Sequence, residues 1–310
     1  MIESGTHTPG VSAESFGLPP NTALRYEQPD SRLTGYITDY HVLDSDVGPS
    51  GSAIEWMLPS WPAIRVILAD NPIALTLGET IYDPMPEATL YGTTSKAMRV
   101  TSSGGVTIGA GITPLGWSRL FRGRADEYRD RIVPLDTMMS ADITGELVSL
   151  LRTSDRALDV KDILDRFFLK HMGPPDRSEA EIRALMTLIV DDRTLDLSTA
   201  AARIGIDARR LRRLATHHFG FPPKTLLLRA RFLRSFLKML AVRDHADYSL
   251  IAATYHDASH FLRDANRFLG MTPRRFMAMK TPYLDAALRA RAAVFGTATT
   301  ALHNVDTERS

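Results

Sequence analysis

The chain has 310 residues, 44% of them apolar and 24% charged, with 37 Lys and Arg against 36 Asp and Glu and a formal net charge of +1. That length accommodates two domains with separate cores, and the composition is that of an ordinary globular protein. The absence of cysteine excludes disulfides, thiolate zinc sites and a cysteine nucleophile.

Residues 1–20 lack a basic start followed by an apolar core, and no stretch approaches 18 apolar residues. A soluble, cytoplasmic protein with no membrane partner is therefore expected. The small net charge conceals an asymmetry: residues 197–291 hold 18 Lys and Arg against 6 Asp and Glu, a local +12 that leaves −11 for the remainder. A basic segment beside an acidic one is the electrostatic footprint of nucleic-acid binding by one half of a molecule.

Along the chain, residues 1–22 are rich in Gly, Ser, Thr and Pro and are expected to form a disordered tail. Residues 23–135 alternate short apolar runs with turn residues, among them Ala63-Ile64-Arg65-Val66-Ile67-Leu68, Ile73-Ala74-Leu75-Thr76-Leu77 and Val106-Thr107-Ile108. Such spacing predicts a small β-barrel or sandwich, with a hairpin turn at Asp70-Asn71-Pro72 and strand turns or bulges at Gly104-Gly105 and Gly109-x-Gly111. From Asp136 the period becomes helical: Ile143, Leu147, Leu150 and Leu151 mark one helix, Val160, Ile163, Leu164, Phe167 and Phe168 a second, Ile182, Leu185, Met186 and Ile189 a third. Residues 136–176 are predicted as a helical connector with a hinge at Gly173-Pro174-Pro175, residues 177–295 as an all-α domain, and residues 296–310 as a flexible tail. The fold class is α+β.

The stretch from Leu197 to Phe276 carries the most information. Leu197, Ala200 and Ala201 recur at helical spacing, Gly205 breaks the pattern, and Asp207 is placed to cap a new helix from Ala208 to about His218. On that helix Leu211, Leu214 and Ala215 face inward, while Arg209, Arg212 and Arg213 share the outer side. Gly220 stops it, and Pro222-Pro223 opens a long apolar helix reaching about Val242. A second unit follows about 50 residues on: Asp257, Ser259, His260, Phe261, Arg263, then Gly270, Thr272, Pro273 and Phe276.

In Gly205-x-Asp207-x-Arg209-x-Leu211-x-Arg213 with Gly220-Phe221-Pro222-Pro223, and in Asp257-Ala258-Ser259-His260-Phe261-x-Arg263 with Gly270-Met271-Thr272-Pro273-Arg274-Arg275-Phe276, the last third of the chain resembles the AraC/XylS family of bacterial transcription regulators. Gly109-x-Gly111-Ile112-x-Pro114-Leu115-Gly116-Trp117-x-Arg119-Leu120 and Val133-Pro134-Leu135-Asp136 resemble the cupin-like sensory half of one subgroup. The chain departs from the family pattern at Ala215 and Ala265, where an aromatic residue is usual, at Thr254, where the second turn has glycine, and at Leu250, where a small alanine is usual. The resemblance implies a double helix-turn-helix that reads duplex DNA, a small-molecule effector, a homodimer, contact with RNA polymerase and a role as a transcription activator. The alkyl-transfer chemistry of some relatives is excluded by the missing cysteine.

The DNA-binding candidates are Arg209, Arg212, Arg213, Ser259, His260, Arg263 and Arg267, because guanidinium groups hold guanine edges or phosphates. The bland alternative is a solvated helix face. Trp56, Trp61, Tyr91 and Trp117 are candidates for a ligand pocket in the β-domain, or equally for its core. His217 and His218 are adjacent and cannot chelate one metal together; a helix-end charge or phosphate contact suits them better. His41 is the only histidine between positions 8 and 170, so no metal and no cofactor is expected, and the chain is not expected to be an enzyme. Two competing readings stay open: an interaction protein that kept the fold and lost specific DNA reading, and, disfavoured, a cupin-type enzyme.

Overall fold

The computed structural model describes residues 1–46, 51–69, 73–191, 196–242, 248–251 and 255–303. The expected hairpin turn at Asp70-Asn71-Pro72 and the departure at Thr254 lie outside the described residues. The N-terminal half is antiparallel β: β1 (Thr22–Glu27), β2 (Ile37–Asp46), β3 (Ala53–Met57), β4 (Ala63–Leu68), β5 (Ile73–Leu77), β6 (Thr80–Tyr82), β7 (Ala88–Tyr91), β8 (Met98–Ser102), β9 (Gly104–Ile112) and β10 (Ile132–Pro134). Six of these form a sheet in the order β1-β2-β9-β4-β7-β10, and four form a second in the order β3-β8-β5-β6.

Alternation along the strands sorts the faces of the larger sheet. Tyr40, Val42, Ile64, Val66, Ile108 and Ala110 point to one side, where helices α2 (Ala141–Thr153) and α3 (Val160–His171) cover them through Leu147, Leu151, Ile163, Leu164 and Phe168. Ala63, Ile67, Tyr91 and Ile132 point to the other side, against Leu75, Leu77 and Met98 of the smaller sheet. The predicted connector helices thus complete the core of the β-half. Gly109 and Gly111 lie inside β9, not at a turn. A Cβ on Gly109 would fall 2.2 Å from the His41 ring and one on Gly111 2.1 Å from Thr38 Oγ1, so glycine lets two β2 side chains lie across the strand. The bulge anticipated there is on the partner strand, between Ile37 and Asp39.

The remaining helices are α1 (Pro114–Leu120), α4 (Glu179–Val190), α5 (Leu197–Ile204), α6 (Ala208–Phe219), α7 (Pro223–Val242), α8 (Ala258–Leu269), α9 (Pro273–Met277) and α10 (Pro282–Phe295). They share cores with the β-half: Trp61 and Leu115 enter the cluster built by α4 to α7, and Leu58 and Ala97 enter the one built by α7 to α10. The first 22 residues, expected to be loose, are packed. Gly5 bridges to Arg25, and Phe16 is fully buried against Ala290 and Val294 of α10. Residues 297–303 likewise fold back, with Thr300 Oγ1 accepting from the Trp61 amide at 3.3 Å. The Gly173-Pro174-Pro175 segment ends α3 as predicted, yet it is pinned and not free: Gly173 N–H donates to Arg119 O at 2.9 Å and Gly173 O accepts from Arg119 Nε at 2.8 Å.

Beneath α10 lies a buried polar cluster. Arg291 reaches Asp39 Oδ2 at 3.1 Å, Thr38 donates to the same oxygen at 2.6 Å, and the His41 ring stands 3.4 Å from Oδ1. Burial alone would raise the Asp39 carboxyl, but the Arg291 guanidinium and the hydrogen bonds override it and hold the group well below the usual carboxylate range. Asp39→Ala would strand Arg291, which is 3% exposed. The expected cost is about 3–5 kcal/mol in urea unfolding, with Arg291→Met in the same chain recovering part of it.

A second test uses pH. Burial, reinforced by Arg291, pushes His303 down to about 4. The unfolded chain takes up that proton near pH 6.5 and the folded chain only near 4, so the unfolded state binds more protons between these values and stability falls as pH drops from about 6.5 to about 4. His303→Gln is expected to flatten that slope; an unchanged slope would assign the loss to other groups.

Candidate nucleic-acid interface

The first helix-turn-helix is assembled by local chemistry. Asp196 caps α5 by accepting from Thr199 N–H at 2.8 Å, and Gly205, at φ 78°, ends it with its N–H donating to the Ala201 carbonyl. Two residues later Asp207 caps α6, accepting from Arg210 N–H at 2.8 Å. Ala200 and Ala201 are buried where α5 crosses, and Leu211, Leu214 and Ala215 point inward from α6. Ala215 is fully buried.

On α6 the arginines divide. Arg209 and Arg212, three residues apart, are exposed and form no salt bridge among the described residues. Arg210 is held by Glu181 of α4 at 2.8 Å and so is neutralised. Arg213 is exposed but stands at the edge of the outer face, because it also lines a cleft toward the β-half. The sequence placed Arg213 with Arg209 and Arg212; in the fold it belongs to both sides.

The second unit keeps its capped helix α8. Asp257 caps α8 by accepting from His260 N–H at 2.9 Å, and Gly270, at φ 73°, ends it. Ser259, His260, Arg263 and Arg267 are all exposed, while Phe261, Ala265 and Phe268 are fully buried. Arg267 donates to Thr225 of α7 at 3.2 Å. Ahead of α8, the described residues contain a short 3-10 turn, Tyr248–Leu250, where the first unit has an α-helix. Sequence reasoning missed the anchor of α8. Asp264, buried on its inner face, accepts from Tyr255 OH at 2.8 Å and pairs with Arg231 of α7 at 2.9 Å. A carboxylate three residues after inward Phe261 and four before inward Phe268 was the available signal.

The four aromatic candidates are not gathered at one site. Trp117 is buried against Phe121 and Tyr128, its Nε1 donating to Gly123 O at 2.9 Å. Trp61 is buried edge-on to Phe219 of α6, with the Arg229 guanidinium 4.4 Å above its ring. Trp56 and Tyr91 do share a cavity of about 220 Å³ between the sheets, walled by Ile67, Ile73 and Val100. Arg65 also lines it; its guanidinium lies 5.0 Å from the Tyr91 ring centre, and its buried Nε has no hydrogen-bond partner. Among the described residues, no group of His, Cys, Asp and Glu could hold a metal ion, and no helix is long and apolar enough to cross a membrane.

No protein-family model and no curated protein matches the chain. Among solved structures, ToxT from Vibrio cholerae is similar at a TM-score of 0.43 with 11% identity, covering 73% of this chain and 97% of that chain. ToxT with a bound unsaturated fatty acid gives 0.41 and 12%, covering 85% and 97%. The AraC-like transcriptional activator CuxR gives 0.30 and 10%, covering 66% and 83%. The chain combines a β-rich N-terminal half, a capped helix-turn-helix, a long linking helix and a second capped helix.

Proposed function

We propose that the protein is a transcription regulator that reads specific duplex DNA through α6 and α8. The observation that carries this is the pair of Asp-capped helices presenting Arg209, Arg212 and Arg213, and Ser259, His260, Arg263 and Arg267, to solvent. Arginine forks match guanine O6 and N7 or phosphate oxygens, and the helix caps fix the direction in which they project. Phosphate contacts supply affinity, and the side chains at base edges supply sequence choice. The cavity between the sheets is the effector site in this reading: largely apolar walls with the Arg65 guanidinium and the Glu55 carboxylate suit a small apolar molecule carrying a polar group. The protein acts as a homodimer in the cytoplasm and contacts RNA polymerase.

Fluorescence anisotropy on fragments selected from a genomic library tests the reading. The logarithm of affinity is expected to fall linearly with the logarithm of salt concentration, at about −0.9 per neutralised phosphate. A flat response would leave an interaction protein that has lost DNA reading.

Arg209→Ala or Arg212→Ala is expected to cost about 1–3 kcal/mol on the selected site and to relax preference at one base position. Substitution of a residue that touches only phosphate weakens all sequences alike. Equal losses on selected and random DNA for both variants would remove these residues from base reading.

A further inference from the structure

A cleft of about 830 Å³ lies outside the cavity between the sheets. One wall is the end of α1 and the turn after it, with Arg119 and Arg122; the floor is the pinned segment after α3, with Arg177; the other wall is the inner side of α6, with Arg210, Arg213 and His217. Five arginines therefore face one space in which Asp176 is the single carboxylate among the lining residues.

Two of the five are already engaged: Arg119 with the Gly173 carbonyl and the Tyr36 ring, Arg210 with Glu181. Arg122, Arg177 and Arg213 are exposed and form no salt bridge among the described residues, Arg213 feeling only the cap carboxylate Asp207. Asp176 is occupied as well, accepting from Ser178 N–H at 2.7 Å. His218 adds an independent sign of an absent ligand. It lines the same cleft, is 7% exposed, and its buried Nδ1 has no hydrogen-bond partner. A buried polar atom without a partner is costly unless something meets it. Burial, reinforced by His217, pushes His218 down to about 4, so near neutral pH it offers a neutral imidazole beside the cationic rim.

We propose that this cleft binds a phosphorylated small molecule, and that its occupation withdraws Arg213 from DNA. Three free guanidinium groups on three different segments can surround a compact polyanion from several sides, as forked donors do for phosphate oxygens. The volume admits a ligand of nucleotide size. The concave shape and the buried His218 favour a small ligand over the backbone of a duplex, which meets open surfaces. Arg213 is the link, being shared between the cleft and the outer face of α6. The competition with DNA rests on the function proposed above, whereas the binding site does not.

Inorganic pyrophosphate is the probe. Titrated into the full chain without DNA, at ionic strength held constant with sodium chloride, it is expected to bind saturably in calorimetry and to raise Tm. Arg122→Ala/Arg177→Ala, a change of two exposed side chains whose folding is checked by circular dichroism, is expected to weaken pyrophosphate binding by about tenfold or more. The same variant should bind DNA as the wild type does in the absence of pyrophosphate, and should no longer lose DNA affinity when pyrophosphate is added. Absence of saturable binding, or equal binding by the variant, overturns the site. Weaker DNA binding by the variant without pyrophosphate makes the cleft a backbone contact and overturns the proposal in that way. Saturable pyrophosphate binding by a chain that binds no DNA would keep the site while removing the competition and the DNA-reading function.

Discussion

The linking helix α7 is held to the β-half by one buried cation. Arg229 is 1% exposed, donates to the Ser60 carbonyl at 3.1 Å and the Thr94 carbonyl at 2.7 Å, and lies over Trp61. Burial pushes its guanidinium down to about 9, opposed by the charge of Asp130, and its Nε and Nη2 have no hydrogen-bond partner. A guanidinium is tolerated there because two carbonyls and an aromatic face stand in for water. Since α7 shares a core with α6 and with α8, the orientation of both helices relative to the β-half follows from this contact and the packing around it.

That arrangement makes the acidic and basic halves one folded body in their contacts while leaving them electrostatically distinct. The Ala97 amide donates to the Phe268 carbonyl of α8 at 2.7 Å, Gln28 reaches the Val294 carbonyl of α10, and Arg289 donates to the Phe16 and Gly17 carbonyls. These bonds join surface chemistry to buried apolar contacts, so the halves are not connected by a tether alone. Arg291 repeats the logic of Arg229 with a carboxylate in place of carbonyls. In both cases an arginine from the basic half is consumed by structure. The local excess of positive charge therefore overstates the number of cations available to a nucleic acid.

The helices of the C-terminal half show the same division at finer scale. Arg210 and Arg231 form salt bridges with carboxylates on other elements, whereas Arg209, Arg212 and Arg263 form none among the described residues. Adjacent positions on α6 are about 100° apart, so a cluster that looks uniform in sequence is split between a protein-facing and a solvent-facing side. Asp264 ties α8 to Arg231 of α7, and Glu181 of α4 ties down α6 through Arg210. Both carboxylates lie in segments where composition alone shows only an apolar period.

Local signals were written in the sequence because their physics is local. Asp207 and Asp257 as caps, Gly205, Gly220 and Gly270 as left-handed stops, and Pro223 as a helix opener each depend on a few neighbouring residues, and each was legible. So were the β-rich half and the helical periods of α2, α3 and α4. Tertiary structure decided what depends on residues far apart in the chain: that residues 1–22 pack on α10, that Trp61 and Trp117 are core and only Trp56 and Tyr91 share the cavity between the sheets, and that Gly109 and Gly111 make room for β2 side chains. It also decided which arginines are free, because a guanidinium's partner is set by which element lies beside it, and no spacing along the chain encodes that.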